Sequence, residues 1–577
     1  MREDAIPVAQ VTRTTQMAHP ARQQQQQQQR PRGAGAVWRQ GCALLAACAG
    51  IAMGASAAAQ TSSPSSSPPA SPSSSPSDPY TQRERDWRNG AIVYQVLVDR
   101  FAPSAELDVK KAQGLYAPPR RLRAWNEQPQ AGTFIESAKV WSHEVDFWGG
   151  DLKSLRSRLD HVQGLGAEVL YLNPIHLGFT NHKYDSLDFQ AVSPEYGTRD
   201  DVKALAADLR QRGLKLVLDG VFNHMGRNAP RFRQAVADPA SPWRNWFVFD
   251  ARIPGGARTW KGVHNLPELN LEHPPVRQHL WAAPDSVVRS YLRDGADGWR
   301  LDTAYELGHE FLAQLTAAAH AEKPGSLVVG EIVNYPAGWM PAMDGVMNFH
   351  LRTLLLLLLD GKLAPATASA MLERMVADVG IEPLLKSWVL LDNHDVQRVA
   401  TEIPHPAKRR LAQVLQFTLP GAPNLYYGAE VGMTGGWDPA QRGPMDWDRV
   451  AAGHPDLAWT RQLIGLRKNH RALRVGDFRT ATAQHLLAFE RYTDRAADTV
   501  LVVANPTDRT VTEHVQWRHG DMMDASNLRD LLPPAFKTEP VSASAGFVHL
   551  TLPPYSVRVL APDTGTQDGY SVYKRVR

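Results

Sequence analysis

The sequence predicts a (β/α)8 barrel that is followed by a smaller all-β domain. Short β-rich segments alternate with helical stretches from residue 86 to about residue 475, which is the pattern of a barrel of parallel strands. Several β-rich segments, such as LKLVLDGV at 214–221, are almost continuously apolar, as expected for strands buried on both faces. Beyond residue 476 the pattern changes to short alternating segments, which favours an antiparallel sandwich. These segments are LLAFERY (486–492), TVLVVAN (499–505), TVTEHVQW (510–517), GFVHLTL (546–552) and YSVRVLAP (555–562).

Eight strands and several of the intervening helices can be assigned from these patterns. The predicted strands are Ile92–Val98, Val169–Asn173, Leu214–Val221, Gly298–Asp302, Leu327–Glu331, Gly345–Asn348, Trp388–Asp392 and Asn424–Tyr427. The predicted amphipathic helices are Asp200–Gln211, Pro284–Asp294, Gly308–Ala321 and Pro406–Phe417. We therefore assign residues 86–475 to the barrel.

One connection within the predicted barrel is longer than a simple loop. About 60 residues rich in Pro, Trp, Arg and Asn separate strand 3 from the next helix, and so long an excursion is usually functional. We assign a small inserted domain B to residues of about 225–284. The sandwich is assigned to residues 476–562, and residues 563–577 are predicted to form a polar tail.

The N-terminal part of the chain has the composition of an export signal and a tether. Arginine residues precede the short apolar stretch Cys42–Ala59, which predicts a signal peptide at residues 1–59 and a secreted or periplasmic protein. The stretch is too short and too rich in Ala and Gly for a membrane span. An alternative is a lipobox at 45–48, which would leave a lipid anchor on Cys48. Residues 60–85 are predicted to be a Ser/Pro-rich linker, with order beginning near Asp86.

Charge and cysteine content argue against a nucleic-acid-binding protein and against a disulfide bond in the mature protein. Residues 1–59 contain six Arg together with Glu3 and Asp4, so their net charge is +4. The whole chain also has a net charge of +4, so the mature protein is formally neutral. A neutral protein offers no extended basic surface for nucleic acid. Both cysteines, Cys42 and Cys48, also lie in the leader, so we expect no disulfide in the mature protein.

Three carboxylates occur where predicted strands end. Asp302 lies in GWRLDTAYE, Glu331 in LVVGEIVNY and Asp395 in LLDNHDVQR. Barrel enzymes place their catalytic groups at the carboxyl ends of the strands. Adjacent strands are ~4.8 Å apart, so Asp302 and Glu331 can approach the ~5–5.5 Å that a retaining glycosidase uses. The sequence therefore predicts hydrolysis of an acetal bond between sugars through a covalent glycosyl-enzyme intermediate.

The neighbours of each carboxylate suggest separate roles. Arg300 leaves the same face of its strand as Asp302, so we expect it to lower the Asp302 pKa and to keep this nucleophile charged. Glu331 follows an apolar run at 328–330 without an adjacent cation, so we expect a raised pKa, as suits a general acid and base. Asp395 is expected to stay charged and to stabilise the oxocarbenium-like transition state.

Each of these residues also has a simpler interpretation. A single Asp after a barrel strand is often a loop cap or an ion-pair partner, but three carboxylates together with Arg300 and His394 favour an active site. The pair Asn223-His224 after strand 3 fits either a turn with a buried histidine or a substrate contact. Trp299, next to Arg300, is expected to point away from the site into the core.

The segments that contain these residues resemble the signature segments of the α-amylase family of glycoside hydrolases. Four of them are DGVFNH (219–224), GWRLD (298–302), GEI (330–332) and DNHD (392–395). Further similar segments are YQVLVDRF (94–101), FWGGDL (147–152), YLNPI (171–175), NHKYD (181–185) and GMTGGWDPAQRGPMDW (432–447). The resemblance extends over about residues 86–560.

The resemblance implies a catalytic barrel, a domain B after strand 3 and a C-terminal sandwich. It implies a nucleophile, an acid/base and a transition-state stabiliser, which are Asp302, Glu331 and Asp395 respectively. It also implies substrate-binding residues in the cleaved subsite, which are Tyr184, His224, Arg300 and His394. Tyr184 would stack on the face of that sugar.

Within the family the chain is most similar to the neopullulanase, cyclomaltodextrinase and maltogenic amylase group. NHKYD, the Glu306 that follows GWRLD, and the GGWDP segment are shared with that group. LPELN at 266–270 matches neither that group's pentapeptide nor that of oligo-1,6-glucosidases, so the linkage preference stays open. Low-complexity sequence stands where the group has the N-terminal sandwich that builds its dimer, so we expect a monomer.

The chemistry implied by the resemblance requires no cofactor. Ordinary α-amylases carry a His where Glu306 stands, and the carbonyl group of that His binds calcium. A structural calcium ion therefore stays an open alternative here, with Asn223 or the region near Asp151 as the possible site.

The leading hypothesis is a retaining α-glucan hydrolase that cuts α-1,4 bonds in maltodextrin, starch, cyclodextrin or pullulan. The alternative is an α-glucan transglycosylase or an α-1,6-acting glucosidase on the same scaffold. A non-catalytic binding protein of this fold is a third hypothesis, which the presence of all three carboxylates disfavours.

Overall fold

The computed structural model describes residues 78–565 together with residues 573 and 576. The predicted signal peptide, the possible lipid-anchor site at Cys48 and most of the predicted linker lie outside these residues. None of the helices within the described part of the chain is long and apolar enough to cross a membrane.

The described chain begins with a helix inside the predicted linker. This helix is Pro79–Arg85, so order begins before the expected Asp86. Asp78 caps it by accepting a hydrogen bond of 3.0 Å from the Thr81 backbone N–H, and Pro79 suits the first helical turn. Tyr80 is buried, and its hydroxyl donates to Asp477 at 2.7 Å. The helix is therefore part of the folded protein.

Eight parallel strands close into a barrel in which each strand pairs with its neighbours along the chain. The strands are β1 (Val93–Val96), β2 (Val169–Leu172), β3 (Lys215–Gly220), β4 (Gly298–Leu301), β5 (Leu327–Ile332), β6 (Gly345–Asn348), β7 (Trp388–Leu390) and β8 (Ala422–Tyr426). Nearly every strand residue is buried, because helices cover the outside and side chains fill the inside. The predicted fold class is confirmed.

The helices agree with the prediction in position and differ at their ends. They are Pro79–Arg85, Val98–Phe101, Leu107–Ala112, Leu152–Arg156, Leu159–Leu165, Arg199–Gln211, Pro230–Ala237, Pro274–Arg277, Val287–Arg293, Ala304–Glu322, Phe349–Leu359, Pro365–Val379, Ile381–Lys386, Val399–Glu402, Pro406–Thr418, Trp447–Ala451, Pro455–Asn469 and Arg471–Val475. The helix that was expected to begin at Gly308 begins at Ala304. The helical backbone is broken at Gly308, whose φ is 79°. A glycine tolerates this break because it has no Cβ.

Two connections at the carboxyl ends of the strands are long, whereas the sequence predicted one. The expected one, domain B, packs around a cluster of Phe232, Phe247 and Phe249, in which the first two ring centroids are 4.9 Å apart. The second is the connection from β1 to β2, residues 97–168. It contains the hairpin of Phe134–Ile135 and Val140–Trp141, and the short pair of Arg121–Leu122 with Asp146–Phe147.

The C-terminal domain is an antiparallel β structure. Its strands are β9 (Asp477–Thr480), β10 (Leu487–Tyr492), β11 (Val500–Asn505), β12 (Val511–Gln516), β13 (Asn527–Asp530), β14 (Val541–Ser544), β15 (Phe547–Leu552) and β16 (Ser556–Pro562). The order is β9-β10-β11-β16-β13-β14-β15-β12. Side chains from strands at both ends of the sheet, such as β10 and β12, share one apolar core. The sheet therefore folds on itself as a sandwich.

Strand β11 shows how the sandwich attaches to the barrel. Leu501 and Val503 point into the sandwich core, while Val500, Val502 and Ala504 join the core of the barrel. The alternation of side chains along a strand therefore explains why this strand is apolar throughout. Beyond the sandwich, Tyr573 of the predicted polar tail is buried, and its hydroxyl lies 2.6 Å from Ser526 Oγ.

Candidate active site

The register between β4 and β5 brings two of the predicted carboxylates together. Leu301 pairs with Gly330, so the next residues, Asp302 and Glu331, leave the barrel side by side. Directly after Asp302 the backbone turns through a left-handed conformation at Thr303, whose φ is 40°. A residue other than glycine adopts this conformation only under constraint, and such strain is concentrated at functional sites.

Arg300 joins three carboxylates at the centre of the site. Its Nη1 lies 2.9 Å from Asp219 Oδ1 and 3.1 Å from Asp302 Oδ1, and its Nη2 lies 2.8 Å from Glu331 Oε2. The Thr303 N–H also donates to Glu331 Oε2 at 3.1 Å. The expectation that Glu331 has no adjacent cation is therefore wrong, because the strand register turns the guanidinium toward both strands.

Arg300 lowers the Asp302 pKa as expected, but the expectation that the net pKa of Asp302 is lowered is wrong. Burial raises the pKa of Asp302 well above its ordinary value, and the charges of Glu331, Asp219 and Asp395 act in the same direction. Arg300 opposes this, but one guanidinium faces several carboxylates. The pKa values of Asp219 and Asp395 are raised as well, so these buried carboxyl groups hold a proton more firmly than isolated side chains do.

Asp219 completes the base of this network, and the sequence prediction did not single it out. Its Oδ2 accepts hydrogen bonds from the hydroxyls of Tyr171 at 2.6 Å and Tyr184 at 2.8 Å. Asp219 is fully buried, and burial raises its pKa although Arg300 opposes the shift. The sequence does contain a signal for Asp219, because it is the only acidic residue in the apolar run LKLVLDGV. An acidic side chain in a buried strand needs buried polar partners.

The partners of His394 determine its tautomer. Its Nδ1 accepts from the side-chain amides of Gln95 at 3.0 Å and Asn173 at 3.1 Å, so the ring proton lies on Nε2. Burial, with the charge of Arg442, lowers the pKa of His394 well below its ordinary value, so the ring is neutral. Nε2 lies 3.2 Å from Asp395 Oδ2. His394 is therefore a fixed hydrogen-bond donor at the floor of the site.

Tyr184 and Asp395 lie on either side of His394. The ring of Tyr184 stacks on that of His394, with centroids 5.1 Å apart and planes at 4°. Asp395 is 39% exposed, the most accessible of the three predicted carboxylates, and its Oδ1 lies 3.8 Å from Arg442 Nη2. Surrounding protein raises the pKa of Asp395, against the opposing effect of Arg442 and Arg300, so the expectation of a firmly charged Asp395 is not supported.

His224 lies at the same end of the barrel, immediately after β3. Burial lowers its pKa to about 3, so the ring is neutral. Its Nε2 is buried and has no hydrogen-bond partner among the described residues. The ring faces Trp260 of domain B at 5.7 Å, and Trp260 Nε1 donates to Glu306 Oε1 at 3.1 Å. A buried polar atom without a protein partner suits a contact with a ligand.

The residues at the two positions considered for calcium have protein partners. Near Asp151, the ammonium group of Lys110 lies 2.5 Å from the carboxylate and takes the place of a cation. At Asn223, the amide nitrogen donates to Glu306 Oε2 at 3.1 Å, and Trp260 engages the other oxygen of the same carboxylate. Nowhere in residues 78–565 do three His, Cys, Asp or Glu side chains form a group that could hold a metal ion.

All seven predicted site residues lie at this end of the barrel, and their roles stay predictions. They are Asp302, Glu331, Asp395, Tyr184, His224, Arg300 and His394. Trp299 lies in the core against Phe222, as expected. The residues that sequence reasoning missed are Gln95, Asn173, Asp219 and Arg442. Gln95 and Asn173 had the same signal as Asp219, namely a polar residue within or directly after a buried strand.

Comparison with known proteins shows the family of the chain. The family described as alpha amylase, catalytic domain, matches residues 95–501, and the C-terminal immunoglobulin-like domain of D-apionate lactonase matches residues 485–560. The chain is 32% identical over 433 residues to a cyclomaltodextrinase of a Bacillus species, which covers 73% of each chain. It is 31% identical over 423 residues to neopullulanase 2 of Thermoactinomyces vulgaris, which covers 70% of this chain and 68% of that one.

Solved structures are similar over most of the chain. The cyclic alpha-maltosyl-(1→6)-maltose hydrolase of Arthrobacter globiformis has a TM-score of 0.68 at 28% identity and covers 82% of this chain and 99% of its own. The type III pullulan hydrolase of Thermococcus kodakarensis has a TM-score of 0.68 at 26% identity and covers 82% of each chain. With a family match over more than half of its length, the chain belongs to the alpha-amylase family of glycoside hydrolases.

Proposed function

We propose that the protein is a retaining α-glucan hydrolase that cleaves α-1,4-glucosidic bonds through a covalent glycosyl-enzyme intermediate. One observation supports this most directly. Asp302 and Glu331 stand on adjacent strands and are bridged by the single guanidinium group of Arg300. Adjacent strands are ~4.8 Å apart, which favours the short carboxyl separation of ~5–5.5 Å used in retention.

Asp302 is the nucleophile in this proposal. Arg300 binds its Oδ1, whereas Oδ2 has no hydrogen bond within the described residues. Oδ2 is therefore free to attack the anomeric carbon, forming an ester as the bond to the leaving oxygen breaks. Arg300 withdraws charge from the carboxylate without occupying the reacting oxygen.

Glu331 is the general acid and then the general base. Its Oε2 accepts from Arg300 and from the Thr303 N–H, so a proton on this carboxyl group belongs on Oε1. Oε1 gives that proton to the leaving glycosidic oxygen. In the second step the ionised Glu331 takes a proton from water, the hydroxide attacks the anomeric carbon, and Asp302 is released as a carboxylate.

The negative charge of the site favours retention of a proton. Burial and the charges of Glu331, Asp219 and Asp395 raise the pKa of Asp302. In the proposal the catalytic proton is carried by Glu331, whose side chain is 14% exposed against 9% for Asp302. Oε1 of Glu331 has no hydrogen-bond partner among the described residues, so it can face the leaving oxygen.

Three further residues are proposed to bind the sugar in the cleaved subsite. His394 directs its Nε2 proton into the site beside Asp395, and both can hold adjacent sugar hydroxyls. The unpartnered Nε2 of His224 is a second buried polar atom that a hydroxyl group can satisfy. Tyr184, held by Asp219 and stacked on His394, offers an aromatic surface for the sugar ring.

The substrate class is inferred from the relatives. They are glycoside hydrolases of the cyclomaltodextrinase and neopullulanase type, which act on α-glucans. Maltodextrin, starch, cyclodextrin and pullulan are the proposed substrates, with α-1,4 bonds as the bonds cut. We further propose that the protein is exported to the periplasm or the medium through its N-terminal leader and that it acts as a monomer.

A proton NMR experiment on fresh reaction products tests the proposal. With maltotetraose in deuterated buffer, the anomeric signal that appears first is expected to be that of the α-anomer, before mutarotation. A β-anomer as the first product would contradict retention. A parallel panel of starch, pullulan, β-cyclodextrin, maltotriose and isomaltose identifies the bond, and longer or rearranged products would indicate a transglycosylase.

A matched pair of variants tests the residue roles. Asp302→Asn keeps the size of the side chain and removes the nucleophile, so activity is expected to fall by about 10⁴-fold or more while the protein stays folded. Asp446→Asn is the control, because Asp446 lies outside the central network and Asn can also cap the helix Trp447–Ala451. Its activity should stay within about twofold of the parent. Activity of Asp302→Asn within about tenfold of the parent would contradict the assignment.

A further inference from the structure

We propose that three exposed aromatic side chains, Phe134, Trp141 and Trp437, form an additional binding site for the α-glucan chain. We call these three residues the aromatic rim. The inference rests on the proposed function, since the occupant is the glucan substrate itself. The rim binds sugar units beyond the cleaved subsite, on the side of the bond that stays attached to the enzyme.

The first observation is the unusual exposure of the three side chains. Phe134 is 42%, Trp141 38% and Trp437 41% exposed. Within the described part of the chain, only two tryptophans are exposed to this degree, and both belong to the rim. Trp141 and Trp437 flank His143 and Asp438, whose side chains lie 3.5 Å apart, and exposed apolar groups that cluster beside polar side chains indicate a binding surface.

The second observation is a line of contacts that connects the rim to the catalytic site. Trp141 stacks near His143, with ring centroids 6.2 Å apart. His143 Nε2 lies 3.5 Å from Asp438 Oδ2, and Asp438 pairs with Arg442 at 3.1 Å. Arg442 in turn lies 3.8 Å from Asp395. Trp437 immediately precedes Asp438, so both arms of the rim lead to Asp395.

The third observation is that hydrogen bonds hold the backbone of the hairpin that carries Phe134 and Trp141. Gly132 N donates to His143 Nδ1 at 3.0 Å, and Thr133 N donates to Ser142 Oγ at 3.0 Å, which closes the base of the hairpin that carries Phe134 and Trp141. Trp141 N donates to Glu144 at 2.5 Å. A surface already held in place loses little conformational entropy when a ligand binds.

The hairpin is also tied to the loop that positions Tyr184. Asn181 N donates to the Glu144 carbonyl at 2.7 Å, and His182 Nε2 lies 3.3 Å from the Glu144 carboxylate. The ring of His182 lies 5.8 Å from that of Tyr184. The rim and the floor of the cleaved subsite therefore belong to one connected framework.

The position of the rim on the barrel assigns its side of the cut. The hairpin follows β1 and Trp437 follows β8, and these two strands are neighbours in the barrel. Glu331, which is proposed to protonate the leaving group, belongs to β5, on the opposite side of the closed barrel. The rim therefore faces the part of the glucan chain that remains on Asp302 after the first step.

The chemistry of the rim fits a glucan. Glucose units present flat faces of C–H groups that pack on aromatic rings, and hydroxyl edges that bind charged groups. Between the exposed aromatics lie His143, Asp438 and Arg442, which can bind such hydroxyls. In the proposal, an α-glucan that enters the cleaved subsite at Asp395 extends along these polar groups toward the rim.

The test compares a long and a short substrate. In Trp141→Ala and in Trp437→Ala, kcat/KM for maltoheptaose is expected to fall by about three- to tenfold, mainly through KM, because each tryptophan supplies one stacking surface. The value for maltotriose, which is too short to reach far beyond the cleaved subsite, should stay within about twofold. Trp141→Phe should restore most of the loss.

Phe547→Ala provides the matched control. Phe547 is an equally exposed aromatic residue, at 43%, but it lies on β15 of the C-terminal sandwich. Its removal should leave both substrates unchanged. Equal ratios of maltoheptaose to maltotriose activity in the parent, Trp141→Ala and Trp437→Ala would overturn the inference, as would an equal loss in Phe547→Ala.

A binding measurement separates this inference from the proposed function. In an Asp302→Asn background, calorimetry with maltoheptaose measures the affinity without turnover, and Trp141→Ala should weaken it by about three- to tenfold. If the parent cleaves no α-glucan but this affinity difference is present, the proposed reaction fails and the rim stands. If the parent cleaves maltoheptaose and the affinities are equal, only the rim fails.

Discussion

Two regions of the molecule bury arginine side chains equally deeply and use them in opposite ways. At the mouth of the barrel, Arg300 is 0% exposed and binds three carboxylates. At the seam between barrel and sandwich, Arg467 and Arg491 are 1% and 0% exposed and bind backbone carbonyl groups. Burial is therefore the same, and the partners differ.

The partners at the seam are neutral and numerous. Arg467 donates to the carbonyls of Phe417 at 2.8 Å and of Gly90 at 3.2 Å, and also to that of Gly421. Arg491 donates to the carbonyl of Thr418 at 2.8 Å, among others. Phe417 and Thr418 are the last residues of the helix Pro406–Thr418, and the final carbonyl groups of a helix have no partner within it.

The partners decide how the charge behaves. Negative partners raise the pKa of Arg300 well above its ordinary value against the effect of its burial. At the seam, burial without a carboxylate partner lowers the pKa of Arg491 to about 9, and that of Arg467 well below its ordinary value. A buried arginine among carboxylates therefore forms a site whose contacts depend on the protonation of those carboxylates. A buried arginine among backbone carbonyl groups holds chain segments together, and its contacts do not depend on carboxylate protonation.

The largest effect should come from Arg300→Lys. An ammonium group cannot reach Asp219, Asp302 and Glu331 together, so kcat/KM for maltotetraose is expected to fall by about 10³-fold or more. Circular dichroism should show a folded protein. Arg491→Lys, the same change at the seam, should leave kcat within about twofold, and equal losses of activity in both variants would break the comparison.

Asp219→Asn should lower activity less and should move the pH profile. The negative charge of Asp219 raises the pKa of Asp302, so its removal lowers that pKa. The nucleophile then stays ionised to lower pH, and the acidic limb of kcat/KM against pH should shift to lower pH. We expect a loss of about 10–100-fold in kcat, because Arg300 loses one of its anionic partners. An unmoved acidic limb would exclude coupling between the two residues.

Arg467→Met should affect stability rather than chemistry. The substitution leaves several buried carbonyls without a donor, which is expected to cost about 2–4 kcal/mol in the free energy of unfolding. Differential scanning calorimetry should record a lower Tm, while kcat per folded molecule stays unchanged. If activity fell in proportion to that of Arg300→Lys at a temperature where the variant is folded, the seam would not be independent of the site.

The smallest effect should come from Tyr80→Phe at the far end of the seam. This change removes the hydroxyl that donates to Asp477 at 2.7 Å and keeps the ring buried. The expected loss is about 1 kcal/mol in the free energy of unfolding, with no change in kcat. Tyr335→Phe, which removes an exposed hydroxyl bonded to Asp378, serves as the control and should be close to neutral.

Barrel and sandwich were predictable from sequence to different degrees. All eight barrel strands were assigned to within two residues, because strands buried on both faces appear as continuous apolar runs. Three short strands of the sandwich, β9, β13 and β14, were missed. They expose alternate side chains and contain charged or small residues, so their pattern is close to that of a loop.

The candidate site divides in the same way. The sequence by itself determined that Asp302, Glu331 and Asp395 stand at strand ends and that Arg300 shares a face with Asp302, because both follow from the two-residue period of a strand. Only the tertiary structure decided that Arg300 also binds Glu331, since this depends on the register between β4 and β5.

The pKa of Asp302 was likewise decided by the tertiary structure. From the sequence, one neighbouring cation predicted a lowered value. In the folded protein, burial and three further carboxylates outweigh that cation. A strand pattern records which residues end a strand and on which face they lie, but a pKa is a sum over all charges in space. Barrel closure brings the ends of β3, β4, β5 and β7 to one mouth, and that closure assembles the charges that govern the chemistry.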